Sequence, residues 1–332
     1  MMTKEFFLAA RPTGLPDKSV FQLKVVELPD VDNGYVLLKA IYISVDPYMR
    51  GRMSDKKSYI EPYKVNEPIE GGVIAEVVQS KSNDFNEGDK VYAILPWAEY
   101  CVAKADKLTK INDNDFPLSY YLGILGLTGL TAYFGTTKIC NPKAGEYFVV
   151  SGAAGAVGMV VGQIAKIMGC HVIGIAGSDE KAIYLIENCG YDYVFNYKNE
   201  NSIEEDIKKI CPNGVDCYFD NVGGDISDAV ISNINFNARI AICGQIAMYN
   251  DDNITMGRRF LPNILIHSAM MQGFIVGQFK NEFPQAIMQL SKWIKEGKLK
   301  TAETIIDGFE SLPDAFLGLF LGKNVGKMIV RV

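Results

Sequence analysis

Apolar and polar positions follow different rules in the two parts of this chain. In the first part the apolar runs are short, rich in β-branched and aromatic residues, and cut by turn signals. Residues 34–44, 72–78 and 90–95 have this character, separated by Leu28-Pro29-Asp30, Asn33-Gly34 and Asn86-Glu87-Gly88-Asp89. Gly, Pro, Asn and Asp supply the backbone angles that tight turns need, so the pattern predicts closely spaced strands in a barrel or sandwich.

After about residue 122 the pattern changes. From Tyr147 onward, apolar runs at 147–151, 171–176, 193–195, 216–220, 238–243 and 272–276 alternate with helical patterns at 159–168, 179–188, 202–210 and 225–234. Apolar runs of strand length between helices predict a parallel sheet covered on both faces. Six such strands are the full set of a doubly wound dinucleotide-binding sheet. A helix near 281–297 places Phe283, Ile287, Leu290 and Ile294 on one face by the three-and-four spacing. A short helix at 312–321 and a strand at 327–332 follow. That last strand has no slot in a complete six-stranded sheet and is expected to return to the first domain. The expected division is residues 1–122 with 299–332 for the β-rich domain, and 123–298 for the α/β domain.

Two uncharged stretches, 116–137 and 147–165, are long enough for a membrane span but studded with glycine. They are read as a buried helix and a buried strand–turn–helix. The opening MMTKEFFLAARP has no long apolar core and is not a signal peptide. A net charge of −6 and a sequence pI of about 5.2, with no basic run, argue against a nucleic-acid partner. The expectation is a soluble cytoplasmic protein. Seven cysteines without a Cys-x-x-Cys pair fit free thiols, not a disulfide framework or a four-cysteine zinc site. Only two histidines, His171 and His267, occur among 332 residues. That scarcity weighs against a metal centre or a histidine acid–base catalyst.

The strongest motif runs Tyr147-Phe-Val-Val-Ser-Gly152-Ala-Ala-Gly155-Ala156-Val157-Gly158. Gly155 and Gly158 match the second and third glycines of the dinucleotide fingerprint, and Ala153 replaces the first. Glycine at 155 lets backbone approach a pyrophosphate, and glycine at 158 lets helix and strand pack closely. The helix amino terminus then offers N–H groups to the phosphates. The next strand ends Ala176-Gly177-Ser178, with Lys181 one turn into the following helix. NAD binders place an acidic residue at this strand end, so its absence beside a lysine points to the 2′-phosphate of NADP. Asp179 and Glu180 keep open the alternative that Lys181 is an ordinary solvated helix residue.

Several stretches together resemble the zinc-free prostaglandin reductase and alkenal/one double-bond reductase branch of the medium-chain dehydrogenase/reductases, which includes curcumin reductase-like enzymes. They are Ser44-Val-Asp-Pro-Tyr-Met-Arg50-Gly-Arg-Met, Gly129-Leu-Thr-Ala-Tyr133, Ala153 to Gly158, Val161 to Lys166, Ala176 to Lys181, Phe195 to Lys198, Asp220-Asn-Val-Gly-Gly224, Ile242 to Ile246 and Gly322 to Lys327. The resemblance spans nearly the whole chain in consistent order. It implies a Rossmann doubly wound sheet inserted into a GroES-like β-rich domain, and a homodimer. It also implies NADPH contacts from Gly155, Ala156, Val157, Gly158, Ser178, Lys181, Tyr197, Asn221, the loop Cys243-Gly244-Gln245-Ile246 to Tyr249, Phe274, Ile275, Val276 and Asn324. Gln245, Ala247 and Met248 depart from the small, hydroxyl-bearing residues common in that loop, which bears on substrate preference.

Where the resembling zinc enzymes carry their first cysteine this chain has Ser44, and Gly71-Gly72 occupies the usual glycine–histidine region. No metal is therefore expected. Hydride addition to the β-carbon of an enal or enone leaves an enolate, which needs only hydrogen-bond donors and a proton. Tyr249 is the leading donor, because a phenol with a pKa of about 10 stays protonated at neutral pH. The alternative is a cofactor-packing tyrosine, with solvent or the ribose hydroxyl giving the proton. Tyr48 and Arg50 line a substrate cleft, or Asp46 and Arg50 simply pin their turn at the domain interface. The Tyr-x-x-x-Lys spacings at Tyr35…Lys39 and Tyr100…Lys104 are read as coincidences of strand sequence, His267 as structural, and Cys243 as packing against cofactor. Two other functions share these features: quinone reduction with NADPH, and a low-turnover NADPH-binding, redox-responsive protein.

Overall fold

A computed structural model of the chain describes residues 1–112, 115–199, 202–251, 253 and 255–332. It divides into two units, Met1–Leu122 with Glu303–Asn324 and Met328–Val332, and Gly123–Ala302 with Val325–Lys327.

The first unit opens with β1 (Met2–Leu8) and β2 (Phe21–Glu27), an antiparallel pair. This pair was not legible as strands because Lys4, Glu5 and Lys24 interrupt the apolar runs. Its inward-facing Phe6, Leu8 and Phe21 nevertheless join the core. Next come β3 (Tyr35–Ser44), the short helix α1 (Tyr48–Arg52), β4 (Glu70–Ser80), β5 (Lys90–Pro96), β6 (Tyr100–Lys104) and β7 (Thr109–Lys110). The positive φ of Gly34, +81°, makes the turn into β3, a conformation glycine adopts without strain. The centre of this core is aromatic: Trp97 stacks on Phe21 at 6.2 Å and meets Phe6 and Phe316 edge-on.

The second unit begins with α2 (Leu127–Phe134), which widens into a π-turn over Gly135–Cys140. Strands β8 (Tyr147–Ser151), β9 (His171–Ala176), β10 (Tyr193–Asn196), β11 (Val215–Asp220), β12 (Ile234–Ile242) and β13 (Met270–Gly273) then alternate with α3 (Gly158–Ile167), α4 (Asp179–Cys189), α5 (Ile203–Ile210), α6 (Gly224–Ile231) and α7 (Leu261–Ile266); α8 (Phe283–Lys295) follows. The strands lie in the order β10-β9-β8-β11-β12-β13, with parallel neighbours throughout. Such a sheet starts in the middle, runs to one edge, then returns and runs to the other. Its switch point, between β8 and β11, leaves a crevice at the carboxyl ends of those strands. The last part of the chain forms β14 (Glu303–Asp307), α9 (Leu312–Phe320) and β15 (Lys327–Arg331), and β15 pairs antiparallel with β3.

Several boundaries differ from the sequence reading. The helix expected over 225–234 ends at Ile231, and the strand expected from 238 starts at Ile234. The pairing jumps from Val215↔Ile234 to Cys217↔Arg239, and Asn237 takes a left-handed φ of +61°. Asn235 and Asn237 thus lie in a bulge inside β12. The strand expected at 272–276 is Met270–Gly273. Phe274 and Val276 are apolar because they bury off the sheet, Phe274 against Phe219 and Val276 with Leu130, Phe134 and Ala286. The stretch 116–137 holds a 3₁₀ turn and α2, and 147–165 holds β8, a turn and most of α3. Among the described residues no helix is long and apolar enough to cross a membrane.

Candidate active site

The turn after β8 sits at the switch point. Its left-handed residue is Gly152, with φ +59°, which is why Ala153 can stand at the fingerprint's first glycine. A methyl group at Gly158 would fall 2.4 Å from the Gly152 carbonyl oxygen and 2.9 Å from Ala153 Cα, so this glycine lets helix and strand touch. At Gly155 a methyl would meet only the Gly152 oxygen, at 3.2 Å, and its other side is open. The amino terminus of α3 has no side-chain cap. Among the described residues the N–H groups of Val157 and Gly158 take no backbone acceptor, while Gly155 and Gly326 form a parallel bridge in which Gly326 N–H takes the Ala154 carbonyl at 2.8 Å. An uncapped ten-residue helix behind a glycine turn suits a pyrophosphate, by its free donors and its dipole.

At the ends of β9 and β10, Ser178 caps α4 by accepting from Lys181 N–H at 3.3 Å. Gly177 brings the backbone against Tyr197, whose ring would lie 3.1 Å from a methyl there. Lys198, absent from the sequence reading as a site residue, has its ammonium 6.0 Å from the Tyr197 ring centre. Lys181 has its pKa lowered, first by burial and then by the nearby positive charge of Lys198. Both acidic residues are otherwise engaged. Asp179 accepts from Asn196 at 2.7 Å and from Asn199 at 3.1 and 3.2 Å. Glu180 turns back to its own N–H and to Ser178, which hold its carboxyl below the usual range. Two neighbouring cations, one of them near the Tyr197 ring, with the nearby carboxylates tied down, form a site suited to a dianionic phosphate.

Across the switch point lies a residue the sequence reading gave no role. Asp220, fully buried, receives six hydrogen bonds: from Ser151 Oγ (2.9 Å), Tyr218 OH (2.8 Å), Val222 N (3.0 Å) and Gly223 N (3.0 Å) on one oxygen, and Ser227 Oγ (2.9 Å) and Gln245 Nε2 (2.8 Å) on the other. Asn221 adds a second tie, its side-chain amide donating to the Ser151 carbonyl at 2.8 Å. These bonds join the ends of β8, β11 and the loop after β12. In that loop Cys243 and Gly244 both donate to the Asp220 carbonyl, and Ile246 donates to that of Asn221. The Tyr249 hydroxyl accepts from Gln245 N–H at 3.3 Å. Burial is the main cause that raises the Tyr249 pKa, so the protonated phenol is favoured.

The remaining candidates fall out as follows. Phe274 is buried with its ring against Phe219 and its N–H on the Ile242 carbonyl at 3.4 Å; Ile275 is exposed and Val276 buried. Asn324 belongs to the first unit, as do Tyr48 and Arg50. Arg50 is 5% exposed and donates to the Gly14 carbonyl at 2.9 Å, which ties α1 to the opening segment. Tyr48 is half-buried, and burial, then the Asp46 charge, push its phenol upward. Ser44 donates to Asp46, and a methyl at Gly72 would lie 3.6 Å from Ser44 Cβ. Among the described residues no group of three His, Cys, Asp or Glu could hold a metal ion. The two Tyr-x-x-x-Lys spacings lie on paired strands, Tyr35 opposite Lys104 and Lys39 opposite Tyr100. His267 Nδ1 donates to the Asn263 carbonyl at 2.9 Å, at the end of α7. All seven cysteines are free, five buried and Cys101 and Cys243 half-buried. Burial pushes the thiols of Cys101, Cys170, Cys189, Cys211 and Cys243 up to about 12.

Residues 4–111 match the family described as the N-terminal domain of oxidoreductase, and 156–292 the family described as zinc-binding dehydrogenase. The chain is 44% identical to mouse prostaglandin reductase 1 over 100% of its own length and 99% of that protein's. The chain belongs to the prostaglandin reductase branch of the medium-chain dehydrogenase/reductases. Tobacco 2-alkenal reductase (NADP(+)-dependent), 42% identical over 99% of this chain and 97% of its own, is a further relative. The crystal structure of CurA in complex with NADPH, from Vibrio vulnificus, superposes with a TM-score of 0.94 at 38% identity, covering 99% of each chain. The architecture is that of the branch: a Rossmann sheet and a separate β-rich part.

Proposed function

We propose that this protein reduces the carbon–carbon double bond of α,β-unsaturated aldehydes and ketones with NADPH. The named relatives, a prostaglandin reductase and a 2-alkenal reductase, support that substrate class, and CurA with NADPH supports the cofactor. The N–H groups of Val157 and Gly158 hold the pyrophosphate beside Gly155 and Ala156. Lys181, Lys198, Ser178 and Tyr197 frame the 2′-phosphate. Asn221, the backbone of Cys243 to Ile246 and of Phe274 to Val276, and Asn324 line the rest of the cofactor. When bound, NADPH supplies a hydride to the β-carbon, and negative charge collects on the carbonyl oxygen.

The observation that carries the reading is the state of Tyr249. Its oxygen already accepts the Gln245 N–H, and burial keeps the phenol protonated. A phenol has one hydrogen to give, so that hydrogen is left to bond the developing enolate and supply its proton. Tyr48 contacts substrate, and Arg50 serves to pin α1. Mixing the pure protein with NADPH and a panel of enals, enones and quinones tests the reading through loss of NADPH absorbance. Turnover of enals and enones is expected. Turnover of quinones alone would reject it, and tight NADPH binding without turnover would point to a redox-responsive binding protein.

We infer also that a second copy covers the outer edge of the six-stranded sheet. All four residues of β13 are exposed at that edge, and in α7 Leu261, Leu265 and Ile266 are 82%, 77% and 68% exposed. An uncovered strand edge beside an apolar patch invites pairing. Light scattering should give twice the 36.7 kDa chain mass, and the mass of one chain would refute the inference.

A further inference from the structure

The loop after β12 holds Tyr249 by an arrangement that the proposed chemistry does not by itself require. The Gln245 carboxamide donates to buried Asp220 at 2.8 Å and to the Gly244 carbonyl at 2.9 Å. It packs close against Gly223, where a methyl would fall 2.2 Å from Gln245 Oε1. The same residue's backbone N–H donates to the Tyr249 hydroxyl. Gly244 lets the phenol come close, since a methyl there would stand 3.2 Å from the Tyr249 oxygen. Both ends of Gln245 are therefore used: the side chain is fastened to a fixed, six-fold bonded carboxylate, and the main chain grips the phenol.

We propose that Gln245 is the positioning residue for Tyr249, fixing the direction in which the phenol presents its hydrogen. The inference rests on Tyr249 being the donor. It explains why a long amide stands here: serine or threonine at 245 would not span from this backbone position to Asp220 while the N–H still reaches the phenol. A side chain pinned at its far end cannot swing, so the N–H it carries has one orientation. Misplacing a reacting group by about an ångström can lower a rate by up to about a hundredfold. Loss of the anchor should act on the chemical step and leave cofactor binding largely intact.

The test is a double-mutant cycle in the full-length protein, with NADPH and the enal or enone of highest turnover. Gln245→Met keeps the side-chain length without the amide, and Gln245→Ala serves as a second variant if the first is poorly folded by thermal melt. The expected result is a kcat about tenfold lower with the NADPH KM within about twofold. In a Tyr249→Phe background the same substitution should have no further effect, because nothing is left to position. A Gln245 variant with unchanged kcat, or one that lowers kcat equally in the Tyr249→Phe background, overturns the proposal while leaving the donor role of Tyr249 intact. An unchanged kcat in Tyr249→Phe alone overturns the donor role and this proposal with it.

Discussion

Replacing Asp220 by alanine removes one acceptor and strands several donors at once. The Val222 and Gly223 N–H groups are fixed by the turn into α6 and cannot rotate to new partners. A buried donor left unsatisfied costs about 1–3 kcal/mol, so these two give roughly 2–6. The hydroxyls of Ser151, Tyr218 and Ser227 can turn elsewhere and add less. Release of the carboxylate's own desolvation penalty offsets part of the sum, and a net loss of about 4 kcal/mol is expected. In a unit of this size each kcal/mol lowers the melting temperature by about 2–4 °C, which predicts a fall of about 8–16 °C. Differential scanning calorimetry of the cofactor-free protein measures it directly. Asp220→Asn, which keeps the shape and one acceptor oxygen, should lose roughly half as much. A melting temperature for Asp220→Ala within about 2 °C of the parent would mean that the six bonds do not hold the sheet ends together, and the reasoning would fail.

Other outcomes follow from the same site. Tyr249→Phe should lower kcat about a hundredfold, the usual scale of a lost general acid, with NADPH affinity nearly unchanged. Because burial raises the Tyr249 pKa from its ordinary 10.0, kcat should show no descending limb below that value; a limb nearer neutrality would assign the proton to another group. Lys181→Ala should raise the NADPH KM about tenfold or more while the NADH KM stays put. Lys198→Ala should do the same to a smaller degree, and equal losses for both cofactors would place these lysines away from the 2′-phosphate. Gly158→Ala should weaken both NADPH binding and stability, the latter by about 1–3 kcal/mol. Gly155→Ala should weaken binding alone, as fluorescence titration and melting curves will separate.

The six parallel strands and the glycine turn were legible because both are written in neighbouring residues: a buried strand must be a continuous apolar run, and a close helix–strand contact needs glycine at a set spacing. The missing carboxylate after β9 was legible for the same reason. Asp220 was not. Tyr218 and Ser227 are its near neighbours in sequence, but Ser151 and Gln245 reach it only when β8 pairs with β11 and the loop after β12 folds back, so no local spacing marks the shared carboxylate. The roles of Asp179 and Glu180 were equally hidden, since both depend on where Asn196, Asn199 and Ser178 come to lie. Tyr249 could be named from the family resemblance, but the grip of Gln245 on it is a main-chain bond, to which the side-chain sequence gives no clue.

The buried cysteines have a meaning that goes beyond packing. The proposed substrates are soft electrophiles that alkylate thiolates, so the enzyme's own cysteines are exposed to that chemistry. Five thiols here are pushed to about 12, so at neutral pH only about one in 10⁵ of each is ionised. These five thiols are therefore slow to react with such compounds. That tolerance is set by the same apolar surroundings that build the core, and a substitution that wets one of these thiols would shorten the working life of the protein before it changed the fold.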